Sequence, residues 1–107
     1  IGKENKGAIF PTKNVNIKNI RFVGKENNII QFILNDGTND IKAITFNGYD
    51  KFCEILKNNL TNDDFQKVMV GIKKYVDLKL DVVYSIEVNI FNEFKNVQLI
   101  LKDFRLS

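Results

Sequence analysis

The chain reads as a mainly β protein: one closed, five-stranded Greek-key barrel with a helical insertion between strands 3 and 4. Three observations lead there. Val76, Leu78, Leu80, Val82, Tyr84, Ile86, Val88 and Ile90 hold strict period two. Asp77, Lys79, Asp81, Ser85, Glu87 and Asn89 occupy the other parity, as in a strand with one face in a core and one in water. Near Lys18-Asn19 the first β segment changes phase, Val15 and Ile17 lying on one parity and Ile20 and Phe22 on the other. An inserted bulge residue produces such a slip, and a long, bent first strand lets a small closed barrel join both halves of its sheet. Between the third and fourth strands the apolar spacing lengthens to three and four residues, the helical period.

In chain order, residues 1–14 lack periodicity and contain the only proline, Pro11; they are expected to be a linker or strap, with the barrel domain covering 15–107. The first strand runs from Val15 and ends at Gly24. Ile29 to Leu34 is apolar on both parities apart from Gln31 and forms the second strand. Residues 35–40 are a turn in which Asp36-Gly37 supplies the positive φ a hairpin needs. Ile41 to Phe46 returns as the third strand, punctuated by Asn47-Gly48. The insertion spans about 49–74: Tyr49, Phe52, Cys53 and Leu56 make one helical stripe, and Phe65, Val68, Met69 and Ile72 a second. Gly71 weakens that second helix. After the long fourth strand, residues 91–96 read as a polar-aromatic hairpin loop, and Val97, Leu99 and Leu101 begin a last strand closing at Phe104. Three strands, a helical element and a long hairpin make the order of an oligonucleotide-binding fold, the OB-fold. An SH3-like barrel or an open α+β sheet is the alternative, and the bent first strand argues for the OB arrangement.

Composition narrows the chemistry. The 107 residues are 44% hydrophobic, enough for one ordinary core. No run approaches the roughly 18 apolar residues of a membrane span, so no membrane partner is expected. The single cysteine, Cys53, rules out an internal disulfide, fits a reducing compartment and sits where a small core residue would; a cytoplasmic location is expected. There is no histidine, which removes the commonest metal ligand and the usual neutral-pH base. The only adjacent carboxylate pair, Asp63-Asp64, follows Thr61 at the spacing of a helix cap. No catalytic residue and no metal site are therefore assigned. Charge is uneven: residues 1–25 carry six basic side chains against the single acid Glu4, while the remainder carries ten basic and twelve acidic. A basic first strand is either a phosphate-binding stripe or a solvated face.

Several segments match a known family in order along the chain. Gly2, Asn5 and Phe10 stand at the spacing of the Pro-Phe-Gly-x-x-Asn-x-x-Pro-x-Phe lead-in of RecJ-type exonucleases, with Ala8 in place of the usual proline. Asn35-Asp36-Gly37 and Ala43-Ile44-Thr45-Phe46 resemble that family's second and third strands. Asp81-Val82-Val83-Tyr84-Ser85-Ile86 resembles its Asp-hydrophobic-Val-Tyr/Phe strand. Asn92-Glu93-Phe94 is similar to its Asn-Glu-aromatic loop, and Val97-Gln98-Leu99 with Lys102-Asp103-Phe104-Arg105 to its closing strand. Residues 49–75 depart from the pattern, being longer and more helical, and the loop after Asn96 lacks the usual glycine. The resemblance implies the C-terminal OB domain of a 5′-to-3′ single-stranded-DNA exonuclease. It also implies divalent-metal (Mn or Mg) chemistry in a separate catalytic core, which would be a partner within the same protein. None of the core's Asp-His-His motifs occurs here.

An OB-fold grips single strands with a basic groove and stacking side chains on strands 2 and 3 and the first and fourth hairpin loops. That selects Lys18, Arg21 and Lys25 on the first strand and its loop, Gln31 and Lys42 on the next two, and Asn92, Phe94 and Lys95 in the last hairpin. Phe94 is the stacking candidate, with folding back over the barrel end as its alternative. Arg21 suits bidentate phosphate contact, with a cross-strand ion pair as its alternative. Phe91, Phe22, Phe32, Phe46 and Phe104 are expected to pack in the core or at the barrel end. Single-stranded DNA is the expected partner, bound weakly and without sequence preference. A structural or protein-docking role is the rival, favoured by the apolar positions of the insertion; the oligomeric state stays open.

Overall fold

The computed structural model describes residues 7–107. The lead-in residues Gly2 and Asn5, like the rest of 1–6, lie outside the described residues. Seven elements follow in order: β1 (Phe10–Val23), β2 (Ile29–Asn35), β3 (Asp40–Thr45), α1 (Tyr49–Asn59), α2 (Asn62–Met69), β4 (Val76–Phe91) and β5 (Phe94–Leu106). The strands close into a barrel in the order β1-β2-β3-β5-β4. All neighbours are antiparallel except β3 and β5, which close the barrel in parallel through Lys42↔Gln98, Ala43↔Leu99 and Ile44↔Ile100.

β1 does the joining expected of it. Its first half, from Phe10 to Ile17, pairs with β4, and its second half, from Asn16 to Val23, pairs with β2. The β2 register shifts between Ile17 and Asn19, so the phase slip in the sequence is a bulge at Lys18. It turns Val15, Ile17 and Ile20 all into the core despite their mixed parity. The strand begins earlier than its periodicity showed: Phe10, Pro11 and Thr12 pair with Tyr84, Val83 and Val82, so residues 10–14 belong to the barrel and not to a linker. Pro11 is tolerated there because it lies near the start of the strand, where a missing amide proton costs little.

The helices close one end of the barrel. Phe52 and Leu56 of α1 are fully buried, and Phe52 meets Phe32 (5.0 Å between ring centroids) and Phe104 (6.3 Å) edge to face. The Lys51 ammonium donates to the Asp103 carboxylate and to the Phe104 carbonyl (3.1 Å), tying α1 to β5. Thr61 caps α2, its Oγ1 accepting the Asp64 amide proton at 3.1 Å, which explains the Asp63-Asp64 pair as first-turn acids at a helix start. The helix ends at Met69, short of the Ile72 its stripe predicted. Gly71 takes φ +81°, its amide donates to Val68 (3.1 Å) and that of Ile72 to Lys67 (2.9 Å). This is a Schellman termination, and it leaves Ile72 exposed.

Candidate nucleic-acid interface

Side chains on neighbouring strands share a face when their residues are directly paired. Across the outside of the barrel one such row runs Asn19–Ile33–Lys42–Gln98–Glu87, and the next runs Arg21–Gln31–Ile44–Ile100–Ser85. Asn19, Arg21, Gln31, Ile33, Lys42, Asn96 and Gln98 enclose a shallow groove of about 340 Å³. Two cations from β1 and β3 thus flank an amide-lined floor. Among the described residues neither Arg21 nor Lys42 has a carboxylate partner within ion-pair distance. The ion-pair alternative for Arg21 is not realised, since the residue facing it across β2 is Gln31.

The far end of the same face is aromatic. β4 and β5 continue paired to their tip, Phe91 opposite Phe94, around a two-residue turn in which Asn92 (φ 49°) and Glu93 (φ 67°) both take the left-handed region. That is a type I′ hairpin, whose twist matches the flanking strands; residues 91–96 are therefore strand and tight turn, not an open loop. Phe94 shares its parity with Asn96 and Gln98, and Phe91 is paired directly with Phe94, so both rings stand on the groove's face. The step from Gln98 to Phe94 spans four residues, about 14 Å along the strand. Phe94 is 77% exposed and Phe91 75%. Neither plugs the barrel, and the core placement expected for Phe91 is corrected: β4 points its even positions inward, leaving Phe91 on the solvent side. Phe46 is corrected likewise. β3 stops at Thr45, and Phe46, one residue on, is 51% exposed.

The remaining predicted residues scatter. Lys25 lies exposed in the β1–β2 turn and Lys18 at the bulge, and neither lines the groove. Asn92 is accounted for by its turn conformation. Lys95 pairs with Ile90, on the face opposite Phe94, and so points away from the groove. Missed were Phe91, Asn96, Gln98, Asn19 and Ile33. Extending the period of β4 by one residue finds Phe91, whereas Asn19, Asn96 and Gln98 carry no signal that sets them apart from other polar strand residues. One acid borders the site: the Glu87 carboxylate accepts from Gln98 Nε2 (2.8 Å) and Asn89 Nδ2 (3.4 Å), holding the Gln98 amide across the strand.

Among the described residues no three His, Cys, Asp or Glu side chains come together as a metal site. The Cys53 thiol, half-buried in α1, has its pKa raised by burial, which suits a packing residue.

The RecJ OB domain family matches residues 1–103. This chain belongs to the RecJ OB domain family. No curated protein sequence matches it. Its fold is similar to that of the mitochondrial single-stranded DNA binding protein Rim1 of S. cerevisiae (TM-score 0.56, 14% identity, 92% of this chain and 94% of that one). It is also similar to part of a protein described as an aspartyl-tRNA synthetase from Leishmania major Friedlin (TM-score 0.54, 10% identity), covering 96% of this chain but 19% of that one. At these identities the likeness is one of fold. The RecJ OB domain is a binding module by architecture, and here two helices, α1 and α2, stand between its third and fourth strands.

Proposed function

We propose that this RecJ OB domain grips single-stranded DNA, without reading its sequence, for a metal-dependent 5′-to-3′ exonuclease core elsewhere in the same protein. The observation that carries this reading is a single outer face combining Arg21 and Lys42, neither with a carboxylate partner among the described residues, an amide-lined floor and two exposed phenylalanines at the hairpin tip. Cations neutralise phosphates, and aromatic rings stack on bases regardless of identity. Among the described residues the groove itself presents no helix to enter a duplex groove and read base edges. Rim1, of like fold, is described as a single-stranded DNA binding protein, which supports the same use of the barrel. In the parent protein the domain would serve DNA repair and recombination, in the cytoplasm, by keeping substrate engaged.

The test is fluorescence anisotropy of a labelled single-stranded oligonucleotide at several salt concentrations, beside a duplex control. Neutralising about three to five phosphates gives a slope of log K against log salt of roughly −2 to −4, and Arg21→Ala makes that slope shallower by about 1. A flat salt response, or equal binding of duplex, would overturn the reading.

One observation favours a second role, docking on the nuclease core. Phe46 is exposed beside a hollow of about 190 Å³ lined also by Gly48, Lys51, Ile100 and Phe104, none of which lines the Arg21 groove. Such a face suits contact with another protein surface.

A further inference from the structure

The groove does not stop at β1. Beyond Arg21 lies a second hollow of about 310 Å³, bounded by Arg21, Phe22, Asn27, Tyr49, Val70 and Lys74 among others, so Arg21 is the wall common to both. Its far side is the segment joining α2 to β4. That segment is pinned to β1: the Ile20 amide donates to the Lys74 carbonyl at 2.7 Å, and Val76 pairs with Ile17. Tyr75 lies between those two attachments and therefore stands opposite the Lys18-Asn19 bulge. It is 60% exposed, whereas Tyr49 and Tyr84 are partly buried. The Lys73 ammonium sits 5.2 Å from the Tyr75 ring centroid, sharing its charge with Asp64 at 3.8 Å. Lys74 is exposed and has no carboxylate partner among the described residues.

We infer that this segment is a second stacking station for the same strand, with Tyr75 as the platform and Lys18 and Lys74 as phosphate contacts. The inference rests on the single-strand reading above and extends it. A strand lying across β5, β3, β2 and β1 would meet Phe94 and Phe91 at one end and Tyr75 at the other. Successive strands are about 4.8 Å apart, so the segment lengthens the track by one such step past β1. The chemistry resembles that of the first station: an exposed ring on a segment that also carries Lys74, without a carboxylate partner among the described residues, and continuous with the groove through Arg21. The insertion has a purpose on this view. The Schellman turn at Gly71 ends α2 early enough for the chain to return along β1 with Tyr75 outward.

The test uses oligo-dT of about 6 and about 15 nucleotides, within the range of site sizes of OB-folds, with the chain, Tyr75→Ala, Tyr75→Phe and Lys74→Ala compared by anisotropy. The expected result is that Tyr75→Ala loses about tenfold on the long oligonucleotide and little on the short one, while Tyr75→Phe, which keeps the ring, binds both like the parent. Lys74→Ala should weaken only the long one and make its salt slope shallower. Because Tyr75→Phe preserves the packing of the segment, a fold defect in the alanine variant would be recognised by its thermal melt. Unchanged long-strand affinity in Tyr75→Ala would overturn the second station, and so would a parent that binds the long oligonucleotide no better than the short. In both cases the groove reading survives on short-strand binding. Failure of the parent to bind either length would remove both. A parent that self-associates, and a Tyr75→Ala variant that does not while its DNA affinity is intact, would assign the patch to protein contact and overturn the inference.

Discussion

Phenylalanine has opposite fates at the two ends of this barrel. At the helical end Phe32, Phe52 and Phe104 interlock edge to face and are almost wholly buried. At the β4–β5 tip Phe91 and Phe94 sit side by side with most of their surface in water. Each end has a reason. The helical end receives α1 from outside the sheet, so rings from three elements close on one another. The tip outruns the barrel: β3 covers β5 only between Gln98 and Ile100, and among the described residues no third strand lies beside the tip. Burial of a ring is thus decided by whether another element arrives above it, and a ring left bare beside a cationic groove is available for a base.

The comparison can be broken at its strongest point first. Phe52→Ala should cost about 3–5 kcal/mol of stability, read as a lower denaturation midpoint in urea; a cost under about 1 kcal/mol would mean that the helices are not part of the core. Phe94→Ala and Phe91→Ala should do the reverse. Stability should change by less than about 1 kcal/mol, while single-strand affinity falls by about 1–3 kcal/mol each, measured by anisotropy beside a thermal melt. If affinity holds and the melt drops, the tip is packing and the contrast between the ends disappears.

Charge offers finer tests. Glu87 borders the groove, and Glu87→Gln keeps the hydrogen bond to Gln98 while removing a charge that repels phosphate. Binding should tighten by about two- to threefold at low salt and converge with the parent as salt rises; weaker binding would place the strand elsewhere. The smallest effect concerns acid. The Lys51 ammonium hydrogen-bonded to Asp103 lowers that carboxyl's pKa. Asp81 is lowered by the Ser107 hydroxyl first and then by the Asn14 amide. For a carboxyl depressed in the folded state, the stabilisation is complete above the ordinary value near 4 and is lost as pH falls through the lower, folded value. Acid titration followed by circular dichroism should show this loss below about pH 4, and Asp103→Asn should lessen it. Because Asp103 is exposed and Asp81 lies at the surface only half-buried, the change is slight, and the β4–β5 tip, which holds neither, should keep its DNA contacts until the barrel itself opens.

Particular residues show how far the amino-acid sequence reached. The alternation from Val76 to Ile90 announced β4, the slip at Lys18 announced the bulge, Asp36-Gly37 its turn (Gly37 has φ +100°) and Thr61 its cap. These are local facts, written in the spacing of neighbours along one segment. Arg21, Gln31 and Lys42 follow from the surface an OB-fold uses, strands 2 and 3 with the neighbouring loop, and they line one groove. Lys95, expected from its loop, lies on the face opposite Phe94, because the tip is a tight I′ turn and parity decides direction there. Asn96 and Gln98 went unseen because they join the groove only through the parallel pairing of β3 with β5, elements separated by both helices. Tyr75 went unseen for a similar reason, its setting depending on a hydrogen bond between the start of β4 and the middle of β1.

Hydrophobic period and turn chemistry act over a few residues, so the number, order and kind of elements are legible along the chain. Which outward side chains share a face, and which rings are left uncovered, emerges only once the barrel closes. Those outcomes depend on the register between distant strands and on where the sheet runs out of neighbours, and neither is encoded in any single segment.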